Sequence, residues 1–541
     1  MRIHQTQELK MKINPFQRSV FKIISFLFFL FFLSGIDVSY TQVTNEAQWD
    51  IILKIEKLDE TLDLIDELTG TDNRQPEKSP TAMLRAMLQG TDWIDPSRSV
   101  VIAMQLHETQ PLAVVLIPFQ KPNELFKSMF NATSGPNYYL VSLPPGREIK
   151  FSTANEKILS AESNKIANKS IALKIGVDQV LKKSEPQIRG MLMDMQNTQP
   201  ATQEGEQGFS SGDIQEMVNN LMGVAAQLET FSLGLNLAPE IITASIEIQA
   251  RENTAVGKLF SPNTQKTLLQ KYTPTYQMNY KMARFDMTGM LNLVDQLFGK
   301  MYQQMGMDFK ELASITDHFT GETAGGMNYD ITGASFEAIT VLKTNQNSPN
   351  FFETTFFPWL KNYNNAIQKM LEKQSGDNIG PIYHRTRDSQ VSGHRVVGVN
   401  IHFPLLPPTR GQLTGSRQDM NMISYEMRMT VIDNLFLIAP DDVRIAELIR
   451  TSKNLKQEPL NGPMAWFEMD MTSYLNTLKN IIPELSASGP LPDMGKISYS
   501  ADMKNGRFSA HSVLKVQDIR NMIQYFKSLS ETSSGVSFEA K

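Results

Sequence analysis

The chain is expected to fold as α+β: duplicated, mostly antiparallel sheet units (β-α-β-β repeats) with a helix inserted between a strand and a hairpin. Three observations predict this. A short apolar strand runs into an aspartate at Ile171–Asp178 (IALKIGVD), Asn279–Asp286 (NYKMARFD) and Met464–Asp470 (MAWFEMD), and each is followed by a helix-like stretch. Each unit then closes in a strand-turn-strand segment, at Phe231–Ala250, Ala324–Leu342 and Lys496–Val516. Hairpin-joined strands with helices between them fit an α+β sheet rather than a doubly wound parallel one.

In chain order, residues 1–41 read as a signal peptide. Lys12, Arg18 and Lys22 precede the apolar run Ile23–Leu33, and small or polar residues follow at Ser34, Gly35 and Ser39. The run is shorter than the roughly 20 apolar residues that a spanning helix needs, so cleavage after Ser39 or Thr41 is expected, with an uncleaved anchor as the alternative. Met11 is an alternative start, since the signal is complete from there. The expected location is exported, periplasmic or extracellular.

Residues 42–95 read as an N-terminal helical segment. Trp49, Ile52, Ile55, Leu58, Leu62, Leu64 and Ile65 fall near helical spacing within Asn45–Thr69, and a short second helix follows at Thr81–Gln89. Residues 96–265 form the first predicted repeat domain. Its opening hairpin, Ser99–Phe119, turns at Glu108–Pro111, and the near-continuous apolarity of its second arm predicts a strand covered on both faces. A helix is expected at Pro122–Phe130, then strands at Tyr138–Leu143 and Glu148–Ser152, and a polar mobile loop at Asn197–Gly212. In the closing hairpin, Phe231, Leu233, Leu235 and Leu237 alternate on one arm and Ala244, Ile246, Ile248 and Ala250 on the other, which predicts one buried and one wetter face.

Residues 266–541 form the second, extended domain. A helix interrupted at Pro358 is expected over Phe351–Lys373, and strands at Pro381–Arg387, His394–Phe403, Ile423–Val431 and Asn434–Ala439 precede a helix at Asp441–Arg450. Asn505-Gly506 signals a two-residue hairpin turn. The order seen at 99–250 thus returns, stretched, at 322–516, as a tandem duplication would leave it.

Composition narrows the chemistry. The chain has no cysteine, which removes thiolate metal sites, iron-sulfur clusters, thiol nucleophiles and a lipid-modified N-terminal Cys. Its formal net charge of −5 becomes about −8 without the signal, a poor balance for binding phosphate backbones.

Candidate functional residues are few. Asp178, Asp286 and Asp470 each precede a helix and read as N-caps, which accept first-turn amide hydrogens. Gly208–Gly212 (GFSSG) matches a nucleophile elbow in letters, but no strand leads into Ser210. His384, His394 and His402 form the one histidine cluster, and two of them stand eight residues apart on one strand, about 26 Å, too far to share a metal. Methionine groups at Met191, Met193 and Met195, at Met301, Met305 and Met307, and at Met420, Met422, Met427 and Met429 read first as core filling, then as an adaptable apolar surface. Gly489–Lys496 is one residue too long for a phosphate loop, and Asp493 with Gly495 reads as a turn. No catalytic, cofactor-binding or metal residue is therefore assigned, and no cofactor is expected.

Gly90–Pro118 (GTDWIDPSRSVVIAMQLHETQPLAVVLIP), the strand IALKIGVD and the hairpin LETFSLGLNL together resemble a family of uncharacterised exported proteins of planctomycete-type bacteria. That resemblance implies a secreted, repeat-built α+β protein and carries no reaction or ligand. The functional expectation is a non-catalytic exported binding or scaffolding protein. An apolar groove would take a lipid-like ligand or an envelope protein, with no nucleic acid and no membrane span in the mature chain. A structural cell-envelope protein without a small ligand is the alternative, and a hydrolase with an unrecognised carboxylate pair is a third reading.

Overall fold

The computed structural model describes residues 49–68, 81–88, 90–106, 112–143, 159, 169–186, 211–261, 266–283, 285–304, 308, 310, 313–330, 333–344, 348–375, 383–404, 422–455, 460–481 and 490–534. In chain order the first elements are β1 (Ile51–Ile55), α1 (Leu58–Leu68), α2 (Ala82–Met87), β2 (Val100–Gln105), β3 (Leu112–Pro118), α3 (Glu124–Met129), β4 (Thr133–Ser134) and β5 (Tyr138–Leu143). Next come β6 (Ile171–Gly176), α4 (177–186), α5 (Ser211–Ala225), β7 (Leu228–Leu237), β8 (Ile241–Ala250), α6 (Ala255–Leu259) and β9 (Lys266–Thr267). The chain continues with β10 (Met278–Met282), α7 (Met287–Gln304), β11 (Phe319–Asp330), β12 (Gly333–Leu342) and α8, a helix made of Ser348–Phe351, the π-turn Phe352–Phe356 and Phe357–Ser375. Then follow β13 (Tyr383–Arg385), β14 (Ser389–Val391), β15 (His394–Pro404), β16 (Met422–Ile432), β17 (Leu435–Ala439) and α9 (Asp442–Leu455). Last are β18 (Leu460–Asn461), β19 (Ala465–Asp470), α10 (Met471–Ile481), β20 (Lys496–Lys504), β21 (Arg507–Lys515) and α11 (Val516–Ser534).

Nineteen strands join in one sheet, and every pairing is antiparallel. From one edge the strands run β4, β5, β3, β2, β1, β6, β7, β8, β21, β20, β19, β10, β11, β12, β17, β16 and β15, with β13 and β14 flanking β15. The α+β class holds. Strand, helix and hairpin follow one another four times among the described residues, starting from β1, β6, β10 and β19. The two halves meet where β8 pairs with β21. Ser245 faces His511 there, and going outward the strand order is mirrored, β7, β6, β1 on one side and β20, β19, β10 on the other.

One sequence expectation is overturned at β1. Residues 51–55 do not open the helix predicted over Asn45–Thr69; they form a strand held between β2 and β6, and the helix begins at Leu58. Pairing on both sides satisfies every backbone group of a β-branched segment, and this tertiary gain overrides an apolar spacing that also suits a helix. At α8 the helix continues through Pro358, and the π-turn lies just before it. Proline lacks an amide hydrogen and crowds the carbonyl four residues back, so a locally widened helix accommodates it.

Most other local expectations hold. Asn505 (φ 54°) and Gly506 (φ 75°) occupy the left-handed region that a two-residue hairpin needs. β3 is buried along nearly its whole length. Cross-strand pairs Phe231↔Ile248, Leu233↔Ile246 and Leu235↔Ala244 do put the predicted apolar residues of β7 and β8 on one face, but that face is not the buried one: Ile246 is exposed and its neighbours half-buried, whereas Gly234 and Ser245 on the other face are buried, because no helix covers this stretch of the apolar side as α1–α3 cover its end. Glu148–Ser152 and most of Asn197–Gly212 lie outside the described residues, as do the signal residues.

The register defines two faces. On one lie Ile51, Leu53 and Ile55 of β1 with Met104, Ile102 and Val100 of β2, and α1, α2 and α3 pack there around Leu58, Leu62, Leu88 and Phe126. At the far end the same face carries Val397 and Met429 beneath Phe351, Phe352 and Phe356 of α8. The opposite face is covered near that end by Ile445, Leu448 and Ile449 of α9, which meet Ile339 and Leu437. Between the ends it is polar, with Ser245, His511, Ser500 and Lys281 in cross-strand succession through Trp466. Each fully buried Leu, Ile, Val or Phe contributes about 1.5–3 kcal/mol, so the helix-covered ends anchor the sheet.

Candidate functional site: an apolar pocket under two short helices

The pocket is built outward from the sheet. Ile55 faces Val100, and Ile102, Val115 and Val141 lie side by side across β2, β3 and β5, so their side chains form one floor with Ile117. Leu58 of α1, Leu84 and Met87 of α2 with the adjoining Leu88, and Phe126 and Phe130 at α3 form the walls. These side chains line a cavity of about 100 Å³ that is partly open to the surface, and none of them is polar.

Polar contacts outside the cavity hold its walls. Asn123 caps α3, its Oδ1 accepting the Phe126 amide hydrogen at 3.0 Å, and the Asn123 amide donates to the Tyr139 hydroxyl at 2.8 Å. Trp93, with its ring centroid 4.8 Å from Phe126, donates its indole N–H to the carbonyls of Leu88 (2.9 Å) and Gly90 (3.1 Å). At the other end of α2, the Thr81 hydroxyl donates to Asp66 at 2.6 Å, and the Arg85 guanidinium reaches Asp59 (2.8 Å) and Asp63 (2.7 Å) on α1. Chemically, the pocket can hold an apolar group against an apolar wall, and its lining contains no acid, base or nucleophile.

A second constellation is polar and lies on the opposite face. Glu337 of β12 is buried and accepts hydrogen bonds from the hydroxyls of Tyr272 and Tyr276 (the latter 2.8 Å), and its carboxylate pairs with Arg444 of α9 at 2.8 Å. Burial, then the Glu337 carboxylate, push both tyrosine hydroxyls well above their ordinary range. Burial also lowers Lys281, whose ammonium donates to the Gln270 carbonyl at 3.0 Å; Tyr280, next to it but on the other side of the sheet against Phe336, is pushed up to about 12 by burial and stands apart from the Glu337 groups. This cluster fastens α9 and the 272–276 segment to the sheet through mutually satisfied groups.

A matched pair of links joins the strand starts to neighbouring helices. The Asp50 carbonyl accepts the Gly176 amide hydrogen at 2.8 Å, and its buried carboxylate holds Lys183 of α4 at 2.7 Å. In the other half the Gln277 carbonyl accepts the Asp470 amide hydrogen at 2.7 Å, and its side-chain amide reaches Thr477 of α10 at 3.0 Å.

The residues singled out from sequence do not converge. Asp286 and Asp470 act as caps, accepting amide hydrogens from Gly289 (2.8 Å) and Ser473 (2.9 Å). Asp178 does not. Gly176, not Asp178, holds the place of Asp470, so Asp178 lies inside α4 and pairs with Arg251 at 3.1 Å. Asp493 closes a turn onto the Gly495 amide at 2.9 Å. Ser210 lies outside the described residues, and the side chain of His402 is outside them too. His384 is exposed and His394 half-buried at separate places on β13 and β15. Among the described residues no group of three or more His, Asp or Glu is placed to hold a metal ion, and no helix is long and apolar enough to cross a membrane.

Met427 and Met429 pack in the core against the α8 aromatics, while Met191, Met193, Met195, Met305, Met307 and Met420 lie outside the described residues. Sequence reasoning missed the pocket because its residues read only as core positions; a cavity is what packing leaves over, and no periodicity signals it. Glu337 had a faint signal as the one charge inside the apolar arm SFEAITV. No family model, curated protein or solved structure matches this chain.

Proposed function

We propose that the protein is an exported, non-catalytic binding protein that takes an apolar group, the end of a lipid-like chain or an apolar side chain of a partner, into the pocket beneath α1 and α2. One observation carries the reading: a cavity of about 100 Å³ with twelve lining residues and no polar side chain among them. Well-packed interiors leave few voids larger than a water molecule, and an apolar void lacks the two to four partners a water needs. The volume suits one aromatic ring or a few methylene groups rather than a whole lipid. The basic and apolar character of residues 12–33 supports export, and the four strand-helix-hairpin successions support descent by duplication. Two of the buried acids, Glu337 and Asp50, each face a base, which favours binding over carboxylate-pair catalysis.

Fluorobenzene binding followed by ¹⁹F NMR tests the proposal. Saturable binding is expected, lost when the floor is filled by Val115→Ile with Val141→Ile. Absence of saturation, or binding that the filled floor leaves unchanged, would remove the reading.

A further inference from the structure

We infer that the ligand is a long-chain lipid, with its chain end in the pocket and the rest of the chain laid along an apolar trough that crosses the middle of the sheet. The inference rests on the binding role proposed above and adds the class of ligand. The trough floor begins at the pocket. Ile55 lines the pocket and faces Ile171 of β6, and the row continues across the strands through Leu235, Ala244, Ser512 and Tyr499. Beside it on the same face runs a second row, Leu173, Leu233, Ile246 and Ala510. Neither row contains a charged side chain. Ile246 is 37% exposed and Tyr499 44%, so the floor is bare beyond β7. An apolar surface left bare over several strands marks a binding surface.

Two helices in mirrored positions wall the trough along its sides. The Ala250 amide donates to the Gly506 carbonyl at 2.8 Å where the chain leaves β8 for α6, and the Val516 amide donates to the Glu240 carbonyl at 2.9 Å where it leaves β21 for α11, at opposite ends of the paired strands. On one side Leu259 packs with Met282 and Met503, and the Phe260 ring lies 5.7 Å from Phe508, which shares the apolar face with Ile246. On the other side α11 reaches α1, which packs on the same face, through Arg520 and Glu67. A flat partner, such as the same sheet of a second copy, cannot come down between these walls, whereas a single hydrocarbon chain can. The six strands from β1 to β20, about 4.8 Å apart, give the row a length of about 24 Å. A membrane's hydrocarbon core is about 30 Å thick and two chains deep, so one lipid chain laid out straight has a length of this order. Apart from the hydroxyls of Ser512 and Tyr499 the two rows offer no polar side chain, so the floor selects for apolar length rather than for a headgroup.

Alkyl maltosides with chains of about six to fourteen carbons, each kept below its micelle concentration, test the inference by calorimetry on the full chain, with fluorobenzene as the probe of the pocket alone. Affinity is expected to rise about fourfold with each added methylene through the longest chain, and the chains should displace fluorobenzene. Ile246→Glu with Tyr499→Glu, both at exposed positions, is expected to weaken the longest chain at least about tenfold. Fluorobenzene affinity should stay unchanged in that variant, which also reports that it is folded. Affinity that levels off by about eight carbons while fluorobenzene still binds would refute the trough and leave the pocket standing, as would a double variant that holds the longest chain as tightly as the wild type. Long chains that bind without displacing fluorobenzene, or that bind where fluorobenzene does not, would show that the chain end has no seat in the pocket, and the inference fails. If neither probe binds, the binding role falls and the ligand class with it.

Discussion

Filling the cavity floor separates a real void from ordinary slack in packing. Val115 and Val141 lie beside each other across β3 and β5, both buried, and both line the pocket. Replacing each by isoleucine adds one methylene while keeping the β-branched character that strands favour. A methylene that enters space already empty gains about 0.8 kcal/mol of burial, so the double variant should be more stable by about 1.5 kcal/mol. The same groups forced into a filled core would instead cost about 1–3 kcal/mol through strained rotamers and shifted backbone. The two outcomes differ in sign. Equilibrium urea unfolding followed by near-ultraviolet circular dichroism reads the difference. Stabilisation together with lost fluorobenzene binding is expected. A destabilised double variant would show that the floor has no room and would refute the argument for the site.

Two further outcomes concern the polar cluster and the buried Tyr280. Arg444→Met leaves the buried Glu337 with only tyrosine donors; because Arg444 is about one-third exposed, a loss of about 2–3 kcal/mol in urea unfolding is expected rather than the full 3–5 of a buried pair. Adding Glu337→Gln should recover much of that loss, and a double variant as weak as the single would argue against a stranded charge. At high pH the raised tyrosines act together. Tyr272, Tyr276 and Tyr280 keep their protons in the fold, whereas unfolded tyrosine releases its own near pH 10, so their stability is present below pH 10 and lost as pH climbs toward 12. The slope should be about 3–4 kcal/mol per pH unit, measured as melting temperature from pH 9 to 12, and Tyr272→Phe with Tyr280→Phe should flatten it; a flat wild-type profile would contradict the burial argument.

The sequence by itself determined what depends on neighbours along the chain. Asn505-Gly506 carries its own turn, Asp286 and Asp470 their own caps, and the alternation around Phe231 and Ile246 its own two-faced strands, because each is a local preference within a few residues. Tertiary structure decided whatever required a distant partner. Ile51–Ile55 became a strand only because β2 and β6 flank it, a choice that outweighs a helical spacing. Asp178 lost its capping place because pairing set the register of β6 two residues away from the match in letters. The pocket exists because strands, α1, α2 and α3 converge without quite filling the space between them. Periodicity reports which side of an element is apolar, but it contains no information about the volume left when several such sides meet.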